Sequence, residues 1–302
     1  AAGFGLRGSQ SGAVASAVLV TSGLGGGLFG YLADRYGRVR SLVCSIVVYS
    51  VFTGLTATAG SLAQLVLWRA LVGFGLGGEW AAGSVLVAES WPAEHRGKAI
   101  GFMQAGWAIG YILAALLAAA ILPRYGWRVL FAIGVLPAVA ALWVFRAVPE
   151  PRVWREREPR RSARVPVTRT FLVATLLTTT ILFAYWGLFT WIPAYLASPV
   201  ERGGAGMGVV RSSGWIVPMQ IGAFFGYVSF GFLADRFGRR PVFLTFVLSA
   251  AALVPAYGML GRHGAALMAL GPLVGFFGHG YFSVFGALLA GLFRVPIRAT
   301  AQ

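Results

Sequence analysis

The sequence predicts an all-α polytopic membrane protein built from two similar helical bundles, and three observations carry that expectation. Charge is scarce: Asp, Glu, Lys and Arg make up 11% of the 302 residues, hydrophobic residues make up 58%, and the mean hydropathy is +0.75. A soluble domain carries roughly 25% charged residues, so this chain could not cover its own surface in water. Apolar runs of about 20 residues, the length of a bilayer-crossing helix, recur along the whole chain. Finally, nearly the same charged stretch occurs twice. GYLADRYGRVR spans 30–40 and GFLADRFGRRP spans 231–241, each between two apolar runs.

Nine spanning helices are expected, at 11–33, 41–59, 62–89, 99–122, 127–147, 170–196, 213–234, 242–260 and 265–293. Polar punctuation sets each boundary. ADRYGRVR closes the first helix, the Gly60–Ser61 pair the second, SWPAEHRGK the third and PRYGW the fourth. The fifth runs into the stretch 148–169, which holds seven Arg, three Glu and four Pro and reads as a basic linker. SPVERGGAGMG, ADRFGRRP and GRHG then separate the last four. The expected domains are an N-terminal bundle over 1–147, the linker over 148–169 and a C-terminal bundle over 170–302. Two similar halves joined by a charged linker is the pattern of a transporter made of repeats around a central cavity.

The formal net charge of +16 raises the question of nucleic-acid binding. The basic residues lie in short loops between apolar runs, where they fix orientation and meet anionic lipid heads, so a lipid bilayer is the expected partner and nucleic acid is not. Lys and Arg fall on the side of the DRYGR loop roughly three times as often as on the opposite side, which places residue 1 outside and residue 302 in the cytoplasm. The expected location is a bacterial-type inner membrane. The single cysteine, Cys44, sits in an apolar run and reads as inert packing. Ala1 in place of Met, with no signal-peptide pattern, reads as a fragment.

Nothing marks an enzyme: H-E-x-x-H, G-x-S-x-G, Walker A and Cys/His metal spacings are missing from the sequence. GFGLGG at 73–78 fits G-x-G-x-x-G, but no strand precedes it; the small residues, like the pairs Gly26/Gly30, Gly106/Gly110 and Gly222/Gly226, serve close helix packing. Arg69 and Glu79 share one expected helix, about 15 Å apart along its axis. Charges at bilayer depth are functional candidates by default and need partners. Polar and aromatic candidates for a solute pocket are Gln104, Trp107, Tyr111, Tyr185, Trp186, Gln220 and His279, although most membrane aromatics simply face lipid or neighbouring helices.

The two copies of G-x-L-A-D-R-x-G-R resemble the signature loop of the major facilitator superfamily. RALVGFGLGGEW at 69–80 resembles that superfamily's fourth-helix motif, and ESWPAEHRGKA at 89–99 its Glu…Arg-Gly signature. YGWRVLFAIGVLPAVAALWVFRAVPEPRVW and YWGLFTWIPAYL are similar to the organic-acid:proton symporter branch, most of all to sialate and lactate symporters. LFRVPIRATAQ resembles the loop after the family's tenth helix. The resemblance covers the whole chain. It implies a twelve-helix fold of two pseudo-symmetric bundles, with the nine helices matching the second to the tenth.

The resemblance further implies a monomeric secondary transporter that moves a small organic anion with protons by alternating access, the proton being the coupling ion and no other cofactor being required. Arg69 is expected to face an acidic residue on the family's first helix. Glu79 is expected to line the cavity and carry the proton, its rival role being a structural hydrogen bond to a neighbouring helix. Asp34, Arg35, Gly37 and Arg38, with Asp235, Arg236, Gly238 and Arg239, are expected to form gates; the rival is that they only enforce topology. By the family pattern Asp235 meets the helix start near Gly97 and Lys98, and Asp34 meets an eleventh helix beyond the chain. Glu89, Arg96 and Arg38 are expected to cluster. Gly291 stands where the family has Glu, which leaves Arg239 without its partner. A sugar or polyol porter and a non-transporting membrane sensor are the alternatives. Because the family's first helix lines the cavity, the 302 residues alone are not expected to transport.

Overall fold

The computed structural model describes residues 8–92, 94–156, 168–260, 264–293 and 295–301. Arg7, His263, Arg294 and residues 157–167 of the basic segment lie outside the described residues. Every regular element among the described residues is a helix. Its helices are α1 Gly8–Tyr36, α2 Arg38–Thr56, α3 Leu62–Ser90, α4 Arg96–Ile133, α5 Pro137–Ala147, α6 Arg152–Arg155, α7 Arg169–Phe189, α8 Ile192–Ala197, α9 Gly208–Phe237, α10 Arg239–Met259, α11 Gly264–Gly280 and α12 Phe282–Leu292.

Among the described residues eight helical stretches are long and apolar enough to cross a membrane. One of them, Arg96–Ala147, is 52 residues long. A continuous helix of that length would measure about 78 Å, more than twice the ~30 Å hydrocarbon thickness. It is divided at Gly126, whose φ of 74° and ψ of 178° no helix contains, so this stretch holds two of the nine expected helices. The expected helices 170–196 and 265–293 are each interrupted. Thr190 and Trp191 separate α7 from α8, just ahead of Pro193, and Tyr281 separates α11 from α12, just after Gly278 and Gly280.

The chain forms two compact units. The first comprises residues 1–90, 121–167 and 289–302, and the second residues 91–120 and 168–288. In the first, α3 lies between α1 and α2, and α2 also packs on α5. Lipid tails are as apolar as leucine, so such helices associate through close backbone approach more than through hydrophobic burial. The glycine run of α3 supplies that approach. A Cβ at Gly73 or Gly77 would strike the carbonyls of Val18 or Ser22 on α1, and one at Gly75 would strike the backbone of Tyr49 on α2. Val39, Val43, Leu86 and Ala141 fill the space between α2, α3 and α5.

The second unit packs α11 against both α9 and α10, and α8 against α9. Gly222 and Gly226 of α9 lie on the carbonyls of Pro272 and Phe276, so this spaced pair does bring two helices together. Gly30 lies on Ala299 in the same way. The pair Gly106/Gly110 corrects the sequence expectation: nothing stands within 4 Å of a Cβ at either position. Cys44 is likewise exposed rather than packed, because α2 turns that face away from α3.

Candidate functional site

Four places gather the residues that carry chemistry. The largest group lines a cavity of about 200 Å³ in the second unit, bounded by Trp107, Tyr111, Tyr185, Trp186, Phe189, Thr190, Ile192, Pro193, Ile216, Met219, Gln220 and His279. Six of the seven polar and aromatic candidates are therefore neighbours. Gln104 is one helical turn from Trp107 and buried, but it is not part of the lining. The interruptions of α7–α8 and α11–α12 explain why these side chains meet, since Thr190, Ile192, Pro193 and His279 all sit at or beside a break. Broken helices are tolerated at membrane depth where they line a cavity. Pro193 and the Gly-His-Gly triplet at 278–280 mark these breaks in the sequence, and the sequence reading of two continuous spans missed them.

The cavity walls are aromatic. Trp107 and Trp186 meet edge to face at 6.1 Å between centroids, and Tyr185 meets Trp186 at 5.7 Å. Its polar groups are few and deeply placed. His279 is 1% exposed, wedged against Phe189 at 4.0 Å and Tyr185 at 5.2 Å. Its Nδ1 stands 3.2 Å from the Gly275 carbonyl, and a carbonyl only accepts, so Nδ1 carries the hydrogen. Gln220 is 2% exposed, and its Oε1 is buried without a hydrogen-bond partner. The hydroxyls of Tyr185 and Tyr227 bond each other. No charged side chain belongs to the described lining.

Arg69 and Glu79, both half-buried in the span Leu62–Ser90, do not meet each other. The Arg69 guanidinium lies over the Phe131 ring at 5.7 Å, and no ion pair involving it occurs among the described residues. Glu79 takes a hydrogen bond from the Tyr49 hydroxyl of α2. Tyr49 had no signal in the sequence that set it apart from other membrane tyrosines.

The first signature loop is a dense charge cluster. Arg38 is fully buried and its Nε and Nη2 bind Glu89 in bidentate fashion, at 2.8 and 3.1 Å. The same guanidinium reaches Asp34 at 3.2 Å and the carbonyls of Ala33 and Val295. Arg298 adds a second cation on Glu89, at 2.9 Å. The expectation for Arg96 is not met: among the described residues it forms no ion pair with Glu89, it belongs to the other compact unit, and its Nε is buried without a partner there. Asp34 also has its partner within the chain. It accepts from the N–H groups of Ala299 and Thr300 at 3.2 and 2.8 Å, and from the Thr300 hydroxyl at 2.6 Å. Exposed N–H groups at the start of a helical turn favour an anion.

The second loop is sparser. Asp235 pairs with Lys98 at 3.3 Å, with their side chains 47% and 34% exposed, and Gly231 lies against the backbone of Gly97 and Lys98. Arg239 is exposed and in no ion pair among the described residues. Arg35 and Arg236 spread over neighbouring rings, Tyr36 and Phe237, on exposed faces. The half-to-half repeat in sequence is thus not a repeat in bonding.

Fold and spans together define a multi-pass, all-helical membrane protein. The Major Facilitator Superfamily profile matches residues 1–227, and the chain belongs to that family. It is 33% identical over 99% of its length to a Cupriavidus pinatubonensis protein described as a "probable 4-methylmuconolactone transporter", and covers 71% of it. It is 31% identical over 83% of its length to the cis,cis-muconate transport protein of Acinetobacter baylyi, and covers 63% of it. Among solved structures, the proton:xylose symporter XylE bound to 6-bromo-6-deoxy-D-glucose superposes with a TM-score of 0.73 at 20% identity, over 98% of this chain and 76% of that one. The last likeness shows the fold.

Proposed function

We propose that this protein is a secondary active transporter that moves a small organic anion together with protons across a bacterial inner membrane by alternating access, with residue 1 outside and residue 302 in the cytoplasm. The observation that carries the reading is the aromatic cavity with two deeply buried polar groups, Gln220 and His279, in its lining. Pockets for small molecules combine apolar walls with few, well-placed polar atoms. The names of the two relatives, both organic-acid or lactone transporters, support the substrate class. Glu79, a carboxyl inside a membrane span that takes a hydrogen bond from Tyr49, is the residue assigned to the proton. Arg69 assists in handling charge, and the Asp34 and Asp235 loops act as the gates. No cofactor besides the proton is required, and the protein works as a monomer.

The uncharged lining favours one second reading, a sugar or polyol as the solute, since neither needs a cation in its pocket. Reconstituted liposomes separate the two. Organic acids, sugars and polyols are offered in turn while external pH and uptake are followed in the full-length protein and in its Glu79→Gln and Arg69→Ala variants. Alkalinisation outside driven by an acid, and abolished in Glu79→Gln, is expected. Uptake of an acid without proton movement would reduce Glu79 to structure, and flux of sugars alone would replace the anion.

A further inference from the structure

We infer that the Gln220 carboxamide oxygen is a specificity determinant that reads a hydrogen-bond donor, a hydroxyl or N–H, on an uncharged planar part of the solute, while the carboxylate lies outside this cavity. The inference rests on the organic-acid reading above and deepens it. Three observations lead to it.

First, the oxygen is available. Gln220 is 2% exposed, yet its Oε1 has no protein partner, and the residue lines the cavity. Buried polar atoms in native proteins are nearly always satisfied, so one left open at a cavity wall points to a partner that comes and goes. Second, the neighbouring groups offer no competing cation. The lining holds no Lys or Arg among the described residues, so a carboxylate placed there would lose its hydration with no cation to offset the loss. Third, the size and walls suit a ring. A cavity of about 150 Å³ accommodates benzene; this one, at about 200 Å³, seats a ring with a short substituent. Trp107, Trp186 and Tyr185 present aromatic surface around it.

These features define how discrimination works. In the solute-free cavity water can satisfy Oε1. A ring carrying a donor replaces that water bond for bond. A ring without one displaces the water and leaves the oxygen bare, a loss that sites built around a polar contact use to reject the poorer ligand. A methoxy group is a sharper probe than a missing hydroxyl, because it keeps an acceptor oxygen and adds bulk but donates nothing.

The test is equilibrium binding of 3-hydroxybenzoate, 3-methoxybenzoate and benzoate to the purified protein in nanodiscs. The hydroxylated acid is expected to bind roughly 10- to 100-fold more tightly than the other two, the range one unpaired buried polar atom corresponds to. Gln220→Leu is expected to level the three affinities, partly by improving benzoate, and Gln220→Glu, which keeps an acceptor, to retain preference for the hydroxyl. Equal binding of benzoate and 3-hydroxybenzoate by the native protein overturns the inference and leaves organic-acid transport standing. Tighter binding of the methoxy acid overturns it too, since the amide would then be presenting its N–H. If none of the three acids binds while a polyol does, the organic-acid reading itself falls and this one with it.

Discussion

Glu150 occupies the space that a side chain at Gly37 would need. A Cβ built on Gly37 runs into the Glu150 carboxylate, which accepts the backbone N–H groups of Arg38 at 2.7 Å, Val39 at 3.0 Å and Arg40 at 3.2 Å. The start of α2 is thereby capped by a residue more than a hundred positions away, at the head of the basic segment. Trp154 secures the same segment by donating to the Asp34 carbonyl at 3.2 Å. An anion at a helix N-terminus satisfies orphan donors and the dipole at once. Gly37 has a φ of 123°, so it is needed twice, for its backbone and for its missing side chain.

Gly238, its counterpart, has a φ of 89° but only Pro241 nearby, at 3.6 Å. Gly238→Ala therefore carries backbone strain alone, about 1–3 kcal/mol, while Gly37→Ala carries that strain and displaces the cap. Thermal unfolding in detergent should rank Gly37→Ala clearly below Gly238→Ala. In the double variant with Glu150→Ala the two losses should be less than additive. Equal losses at the two glycines would remove the case for the cap.

The two charge clusters should respond differently to truncation. Arg38 and Glu89 have fully buried side chains, and breaking a buried pair leaves an uncompensated charge at a cost of about 3–5 kcal/mol. Arg38→Ala should lower the unfolding midpoint steeply, and Arg38→Lys should not restore it, because lysine cannot reproduce the bidentate bond. Lys98 and Asp235 are partly exposed, where pairs contribute about 0–1 kcal/mol. Asp235→Asn should thus fold normally. If uptake by Asp235→Asn also proves normal, the loop serves topology and not gating.

What the sequence made legible follows from the range of the interactions involved. Helices, their polar boundaries and the division at Gly126 are local, and apolar runs with charged punctuation announce them. Arg69 and Glu79 stood out because a charge in an apolar run is conspicuous by itself. The partners were another matter. Tyr49 for Glu79, Arg298 for Glu89 and Glu150 for the α2 start are chosen by tertiary packing, and nothing near them in sequence names the other member. Arg96 was expected in the Glu89 cluster from the resemblance of ESWPAEHRGKA to the family's Glu…Arg-Gly signature, yet it belongs to the other compact unit. The cavity residues were legible as a set of types, but their meeting depends on helix breaks at Thr190–Trp191 and Tyr281 that hydropathy smooths over.

The aromatic walls of the cavity give a direct prediction. Trp107 is 40% exposed and Trp186 half-buried, so neither is a keystone of the second unit. Removing either ring takes away an edge-to-face contact worth about 0.5–1.5 kcal/mol, together with the apolar surface offered to a solute. Trp107→Ala and Trp186→Ala should each weaken solute binding roughly tenfold, with little change in the unfolding midpoint. Titration calorimetry beside thermal unfolding checks both halves. His279→Ala should do the reverse and cost stability first, since that ring is 1% exposed and packed on Phe189 and Tyr185.

The glycine pairs, finally, should separate into two classes that spacing alone cannot tell apart. Gly222 and Gly226 lie against the carbonyls of Pro272 and Phe276, with backbone on the far side that cannot give way. Adding a methyl there pushes α9 away from α11, and overpacking of this kind costs about 1–3 kcal/mol. Gly106 and Gly110 face open space, so alanine there meets no obstacle and gains about 1 kcal/mol of helix propensity. Gly222→Ala should melt earlier than the native protein, and Gly106→Ala at the same temperature or later. The cause of the difference is backbone contact, which α9 makes with α11 at Gly222 and Gly226 and which α4 lacks at Gly106 and Gly110 among the described residues. Should Gly106→Ala melt as early as Gly222→Ala, then Gly106 makes a close contact after all, and the open face of α4 is misassigned.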